Sequence, residues 1–199
     1  MKIKDKQYRA NPASIRAMTD GDGEGEKKLE LSGYFAVFND PTELWDGVYE
    51  QIAPEAFNKT LDADIRALYD HDTAKVLGRT KNGTLSLKTD KHGLYGTIML
   101  NPDDTDAVNL YRRVERGDID QCSFGFYINE ETSEKRDDGT DLLTVNDVTL
   151  LEVSVVTFPA YANTSISARK RDYEQSKAEN LNRWKSLMQG KIEKGQNNA

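Results

Sequence analysis

Of its 199 residues the chain spends one on cysteine, two on histidine and five on proline. A lone Cys122 cannot close an internal disulfide, which suits a reducing cytoplasm. Two isolated histidines and one cysteine lack the spacing of a metal site, so neither metal nor cofactor is expected. No stretch is long and apolar enough to cross a membrane. The opening MKIKDKQYRANPAS has no apolar run behind its lysines, so no secretory signal is expected there. The glycine-rich GDGEG is acidic and precedes no convincing strand–helix unit, which excludes a phosphate loop. No internal repeat is evident.

What is present suffices for one ordinary domain with loose ends. Hydrophobic residues make up 37% and charged ones 31%, enough to bury a single core. The net charge of −7 is unevenly spread. From Ala168 onward eight Lys/Arg face four Asp/Glu, a balance of +4, so the rest of the chain carries −11. An acidic body argues against nucleic-acid binding. The basic tail reads as a solvated helix, with contact to an acidic partner as the alternative.

Most of the chain reads as short strands. TDGDGEGEKK (19–28) has the composition of a mobile loop and separates an N-terminal piece from the alternating LELSGYFAVFND. Pro54 is placed to open a short helix carrying Phe57 and Leu61. DIRALYDHD alternates Ile65, Ala67, Tyr69 and His71 on one side, which predicts a strand with His71 at its end. GTLSLKTDKHGLYGTIML predicts a hairpin turning at residues 90–93. The clearest helix follows Asp103–Thr105 as cap and stops at Gly117, with Ala107, Leu110, Tyr111 and Val114 as its apolar stripe. QCSFGFYINEE and DVTLLEVSVVTFP are two further strands. The last thirty residues look helical, with Leu181, Trp184, Leu187, Met188 and Ile192 near one face and a disordered GQNNA end. These boundaries divide the chain into an N-terminal segment (1–28), a body (29–169) and a basic tail (170–199).

Four residues are candidates for chemistry besides His92, whose place before Gly93 marks an exposed turn residue. His71 ends a strand and enters the polar HDTAK. Strand parity puts Cys122, Phe124, Phe126 and Ile128 on one face, and Ser123, Gly125 and Tyr127 on the other. Ser123 is thus a hydroxyl beside a residue without a side chain, leaving room for a backbone or substrate to approach. An ordinary strand serine is the alternative. Cys122 is the rival nucleophile, but its parity directs it into the core. Glu152 shares parity with Val148, Leu150, Ser154 and Val156, and a carboxylate among apolar neighbours needs a partner. A histidine would serve, and so would Arg79 or Arg112.

In chain order, LSGYFAVFND, YEQIAPEAF, ALYDHD, LGRTKNGTLSL, GLYGTIML, CSFGF and LLEVSVVTFPAYANTSI resemble the prohead proteases of tailed bacteriophages. The likeness covers roughly residues 29–169. It implies a serine endopeptidase with a mainly β (α+β), barrel-like core and flanking helices, related to the herpesvirus assemblin fold. The histidine of the family's HD motif falls on His71, with Asp72 beside it. The SFGF serine falls on Ser123 and the LLEVS acid on Glu152. Assemblin relatives use a second histidine as third member; His92 is in the wrong context for it. An oxyanion donor is required, with a backbone N–H or Arg169 as candidates. The implied substrate is the scaffolding part of the major capsid protein, and the protease itself, cut inside the immature shell in the host cytoplasm. No nucleic-acid or membrane partner is implied, and self-association is left open. The competing reading is a catalytically inactive assembly or scaffold protein with the same fold.

Overall fold

A computed structural model describes residues 5–11, 15–20, 28–158 and 163–196, without the side chains of 11, 19, 20, 163–168, 172 and 190–196. Most of the loop expected at 19–28, and the last residues of GQNNA, lie outside the described residues, as does the side chain of Ile192. The described chain is mainly β. Strands β1 (Gln7–Asn11), β2 (Arg16–Asp20), β3 (Lys28–Val37), β4 (Thr42–Trp45) and β5 (Val48–Ile52) come first. Then come β6 (Arg66–Tyr69), β7 (Asp72–Arg79), β8 (Leu85–Thr89) and β9 (Gly93–Met99). Helix α1 (Thr105–Arg116) precedes β10 (Gln121–Lys135), β11 (Asp141–Val156) and helix α2 (Asn163–Gln196).

The strands form two sheets, one running β1-β10-β11-β5-β4 with β6 and β7 attached through β11, the other β2-β3-β9-β8. They share one core, in which Leu31 and Phe35 from β3 and Leu94 and Ile98 from β9 meet Phe124, Phe126, Val148 and Val153 from β10 and β11. The barrel implied by the resemblance is not closed: both sheets are open among the described residues. Residues 1–28, expected as a segment apart, supply β1 to one sheet and β2 to the other.

Local signals decide the elements that depend on near neighbours. Asp104 caps α1 by accepting from the Asp106 and Ala107 amides, and Gly117 ends it at φ +85°. Its stripe of Ala107, Leu110, Tyr111 and Val114 is buried. The hairpin of β8 and β9 turns at residues 90–93, where Asp90 accepts from the His92 and Gly93 amides. The helix expected after Pro54 is instead a run of turns. Its amides bond three residues back, Ala56 to Ala53, Asn58 to Glu55 and Thr60 to Phe57.

Those turns have a structural job. β11 pairs with β5 as far as Val145 and with β6 from Glu152 onward. Between the two, the turns supply partners instead: the Val148 amide bonds Ala56 O, and the Leu150 amide bonds Thr60 Oγ1 at 2.9 Å. A buried strand edge must have its amides satisfied, and an α-helix would have used the Ala56 carbonyl internally.

Among the described residues, the tail helix is anchored near its start. Trp45 packs on Tyr173, and Lys177 reaches Asp141 at 3.1 Å. Leu181, Trp184, Leu187 and Met188 are exposed.

Candidate active site

Ser123 and Glu152 lie on adjacent antiparallel strands, in a register that sets Ser123 against Ser154 and Gly125 against Glu152. The register shifts between Gly125 and Phe126, whose partners are Glu152 and Leu150, so Leu151 is an extra residue. Such a bulge reverses which face the following side chains take. Val148 and Leu150 therefore join the core before it, and Val153 and Val155 after it. This corrects the parity reading of Glu152: it does not share a face with Val148 and Leu150. The bulge turns Glu152 and Ser154 to the face of Ser123 and Gly125.

Gly125 is needed beside it. A Cβ there would stand 2.1 Å from Glu152 Oε1 and 2.8 Å from Lys6 Cε. The space expected to admit a backbone or a substrate thus holds the Glu152 carboxylate. That carboxylate is 4% exposed and well partnered. Ser154 Oγ donates to its Oε2 at 2.6 Å, and Lys6 Nζ lies 3.6 Å from Oε1. His71 Nδ1 is 2.8 Å from Oε1. The arginine alternatives are engaged elsewhere, Arg79 with Asp64 and Arg112 with Glu115.

His71 reaches Glu152 from a turn rather than a strand. β6 and β7 are joined by Asp70 and His71 alone, both with positive φ (50° and 59°), as a tight hairpin requires. That conformation costs ordinary residues about 1–2 kcal/mol, and aspartate tolerates it better than most. Asp70 also ties the turn to the end of β11. It accepts from the Thr157 amide at 2.7 Å and from Thr157 Oγ1 at 2.9 Å. Asp72, the acid of the HD motif, instead accepts from the Ala74 amide. Asp70 is a positioning residue that motif reading missed; its signal was a turn-tolerant acid directly before the histidine.

One expected consequence is testable. If the chain has the peptidase activity that the resemblance implies, Asp70→Ala should lower kcat for peptide cleavage at least about tenfold with KM little changed, because a rigid histidine is what the turn supplies. Asp70→Asn should restore most of it, and equal kcat in all three would show that the turn does not position His71.

The hydroxyl and the imidazole are not hydrogen-bonded to each other. Ser123 is fully buried, and its Oγ donates to the carbonyl of Arg9 on β1 at 2.9 Å. His71 Nε2 is buried without a partner among the described residues. The Tyr8 ring stands edge-on to His71 with centroids 4.5 Å apart. β1 therefore lies across the whole group. Cys122 is fully buried, and burial pushes its thiol pKa far up, the reverse of what a nucleophilic thiol needs. His92 is exposed in the β8–β9 turn, edge-on to Tyr34.

Next to this group is a buried ion network. Arg9 Nε donates to Glu50 Oε1 at 2.5 Å and its Nη2 to Oε2 at 3.1 Å. Arg169, 1% exposed, joins Glu50 (2.5 Å) to Glu131 and is thereby drawn away from the oxyanion role considered for it. Burial alone would raise the Glu50 pKa, but the two guanidiniums outweigh it and hold it at about 2. Burial keeps Glu131 above the usual carboxylate range in spite of Arg169. Glu50 was legible by the argument used for Glu152, since it sits at core parity between Val48 and Ile52.

A carboxyl depressed on folding stabilises above its ordinary pKa and loses that contribution as pH falls toward its folded value. From 4.5 to about 2 this is on the order of 3 kcal/mol. Urea midpoints should accordingly fall between pH 4.5 and 2, and Glu50→Gln should be less stable at pH 7 and less acid-sensitive over that window. An unchanged acid slope would show that Glu50 is not the group responsible.

The model of the caudovirus prohead serine protease family matches residues 14–179, a span that includes His71, Ser123 and Glu152. The prohead protease of Enterobacteria phage HK97 is 31% identical over 156 residues, or 74% of this chain. The chain spans 63% of that relative's length. Among solved structures, the bacteriophage T4 capsid assembly protease aligns over 75% of this chain and 98% of its own, at 10% identity and a TM-score of 0.44.

Proposed function

Because the chain belongs to the caudovirus prohead serine protease family, we propose that it is a serine endopeptidase of phage head maturation with Ser123, His71 and Glu152 as its catalytic triad. The observation that carries this reading is the part-buried His71–Glu152 pair at 2.8 Å, on the sheet face that also bears Ser123. The assemblin-like relationship of the core belongs to the same proposal, as does a protease domain at 29–169 whose sheets the N-terminal segment completes with β1 and β2.

The chemistry follows from the groups present. Glu152 accepts the Nδ1 hydrogen of His71, which leaves Nε2 as the base. Nε2 takes the proton of Ser123 as Oγ attacks the scissile carbonyl, and the imidazolium forms against the Glu152 carboxylate. The proton then passes to the leaving amine, and water hydrolyses the acyl-enzyme with His71 again as base. Ser154 holds the second carboxylate oxygen, so Glu152 keeps its orientation through the cycle. The open link between Ser123 and His71 makes the described arrangement a resting one, which closes when β1 moves off the serine.

The substrate in this reading is the scaffolding part of the major capsid protein, and the chain itself, cut inside the immature head. Co-expression with the capsid protein of the same phage tests it. Intact masses should show the capsid protein shortened by a discrete segment in assembled shells. Full-length capsid protein in assembled shells that contain the chain would overturn the reading.

A further inference from the structure

β1 runs antiparallel along the edge of β10, with Gln7 to Asn11 opposite Phe126 to Cys122. It meets the candidate nucleophile as a peptide substrate would. The strand is extended, its backbone is bonded to the strand that carries the serine, and one of its carbonyls, that of Arg9, accepts the Ser123 hydroxyl bond. The hydroxyl faces the carbonyl oxygen rather than attacking the carbon, so the contact is a parked one. The residue contributing that carbonyl sends its side chain to the opposite face, past the Phe126 ring and onto Glu50.

We infer that β1 marks the path of the substrate strand, and that Glu50 is a specificity residue selecting arginine or lysine immediately before the scissile bond. The inference rests on the serine-protease reading and adds the substrate class to it. Glu50 suits the role because it is 4% exposed and ionised, so a residue entering beside it must answer a desolvated negative charge. Arg169 answers part of it permanently from α2. The Arg9 guanidinium answers the rest with two bonds, and a lysine ammonium would bring the same positive charge, which an amide or an apolar side chain lacks. A glutamate in that place would set a third carboxylate beside Glu50 and Glu131. Arg9 lies before the residues that match the family model, so the subsite is read from this chain's own contacts.

The reaction implied is ordinary acyl transfer at that position. Ser123 Oγ bonds to the carbonyl carbon of the basic residue while the C–N bond to the next residue breaks. The serine proton travels through His71 Nε2 to the leaving nitrogen, and water later splits the ester. While β1 is seated, a substrate strand must displace it, so the segment also competes with substrate.

Binding and cleavage are measured separately. Labelled decapeptides with the sequence of residues 5–14, DKQYRANPAS, carry Arg, Lys, Gln or Glu at the position of Arg9. Their affinities are read by fluorescence anisotropy on the full chain bearing Arg9→Gln and Ser123→Ala, which loosens the resident strand and prevents turnover. The Arg and Lys peptides should bind about thirtyfold or more tighter than the Gln and Glu peptides. Glu50→Gln should erase the difference. Should that variant fail to fold, the peptide series on intact Glu50 still gives the selectivity. Equal affinities, or no binding by any peptide, overturn the inference and leave Arg9–Glu50 as a staple for β1. Cleavage is then scored on a mixed peptide library with wild type against Ser123→Ala. Serine-dependent cuts after Arg and Lys support the subsite, and serine-dependent cuts without basic preference overturn it. Selective binding with no serine-dependent cut keeps the basic subsite as a peptide-binding site and removes the protease reading instead.

Discussion

Ser123→Ala should leave both the chain and a co-expressed capsid protein at full length, while Cys122→Ala should process them at close to the wild-type rate. The expected loss for the serine variant is on the order of ten-thousandfold or more, the scale of removing a nucleophile that works as one unit with its base. The two residues are neighbours, so the comparison is a direct test of strand parity. Cys122 faces the core with a thiol that burial keeps protonated. Ser123 faces Ser154 across the strand pair, on the side where Glu152 meets His71. Intact mass reads the outcome without a designed substrate. Ser123→Ala that still processes the capsid protein in shells would exclude the serine. Loss of processing in Cys122→Ala alone would transfer the role to the thiol. Neither substitution should prevent folding. Ser123→Ala removes one hydrogen bond, worth about 1 kcal/mol, and Cys122→Ala keeps the buried position apolar.

Glu152→Gln should lower kcat by about a thousandfold with KM nearly unchanged. A glutamine side chain fills the same space beside Gly125. Its amide oxygen can still accept from His71 Nδ1, and its amide nitrogen can donate to the Ser154 hydroxyl. What it lacks is the negative charge against which the imidazolium forms, a loss felt only as the transition state develops. Stability should move the other way or not at all. Glu152 is a carboxylate held at 4% exposure, and its uncharged isostere is cheaper to bury. A thermal midpoint within a few degrees of wild type, together with the kinetic loss, separates a catalytic role from a structural one. A kcat close to wild type would mean that the His71–Glu152 contact is only a structural hydrogen bond.

How much of this was legible before folding depends on the range of the interactions involved. The sequence by itself determined α1, because an aspartate cap, an apolar stripe three and four residues apart and a glycine at the C-terminus all act within the helix. It determined the β8–β9 hairpin for the same reason. It also marked Ser123, His71 and Glu152 as residues to watch, through residue chemistry and the order of the family-like fragments. Tertiary structure decided how they meet. The extra residue at Leu151 turns Glu152 from the core side of β11 to the serine side, and nothing within that strand announces it; the bulge appears only in the pairing with β10. The strand expected to end in His71 becomes a hairpin because β7 folds back on β6, with Asp70 held by Thr157, 87 residues away. The segment QYRAN has little strand character alone and becomes β1 because the free edge of β10 supplies its hydrogen bonds and Glu50 a partner for Arg9. A hydroxyl satisfied by a carbonyl 114 positions away, as Ser123 is by Arg9, exists only once the chain is folded. Local patterns carry only near-neighbour energies, whereas the closing contacts of this site join segments that are distant in the chain.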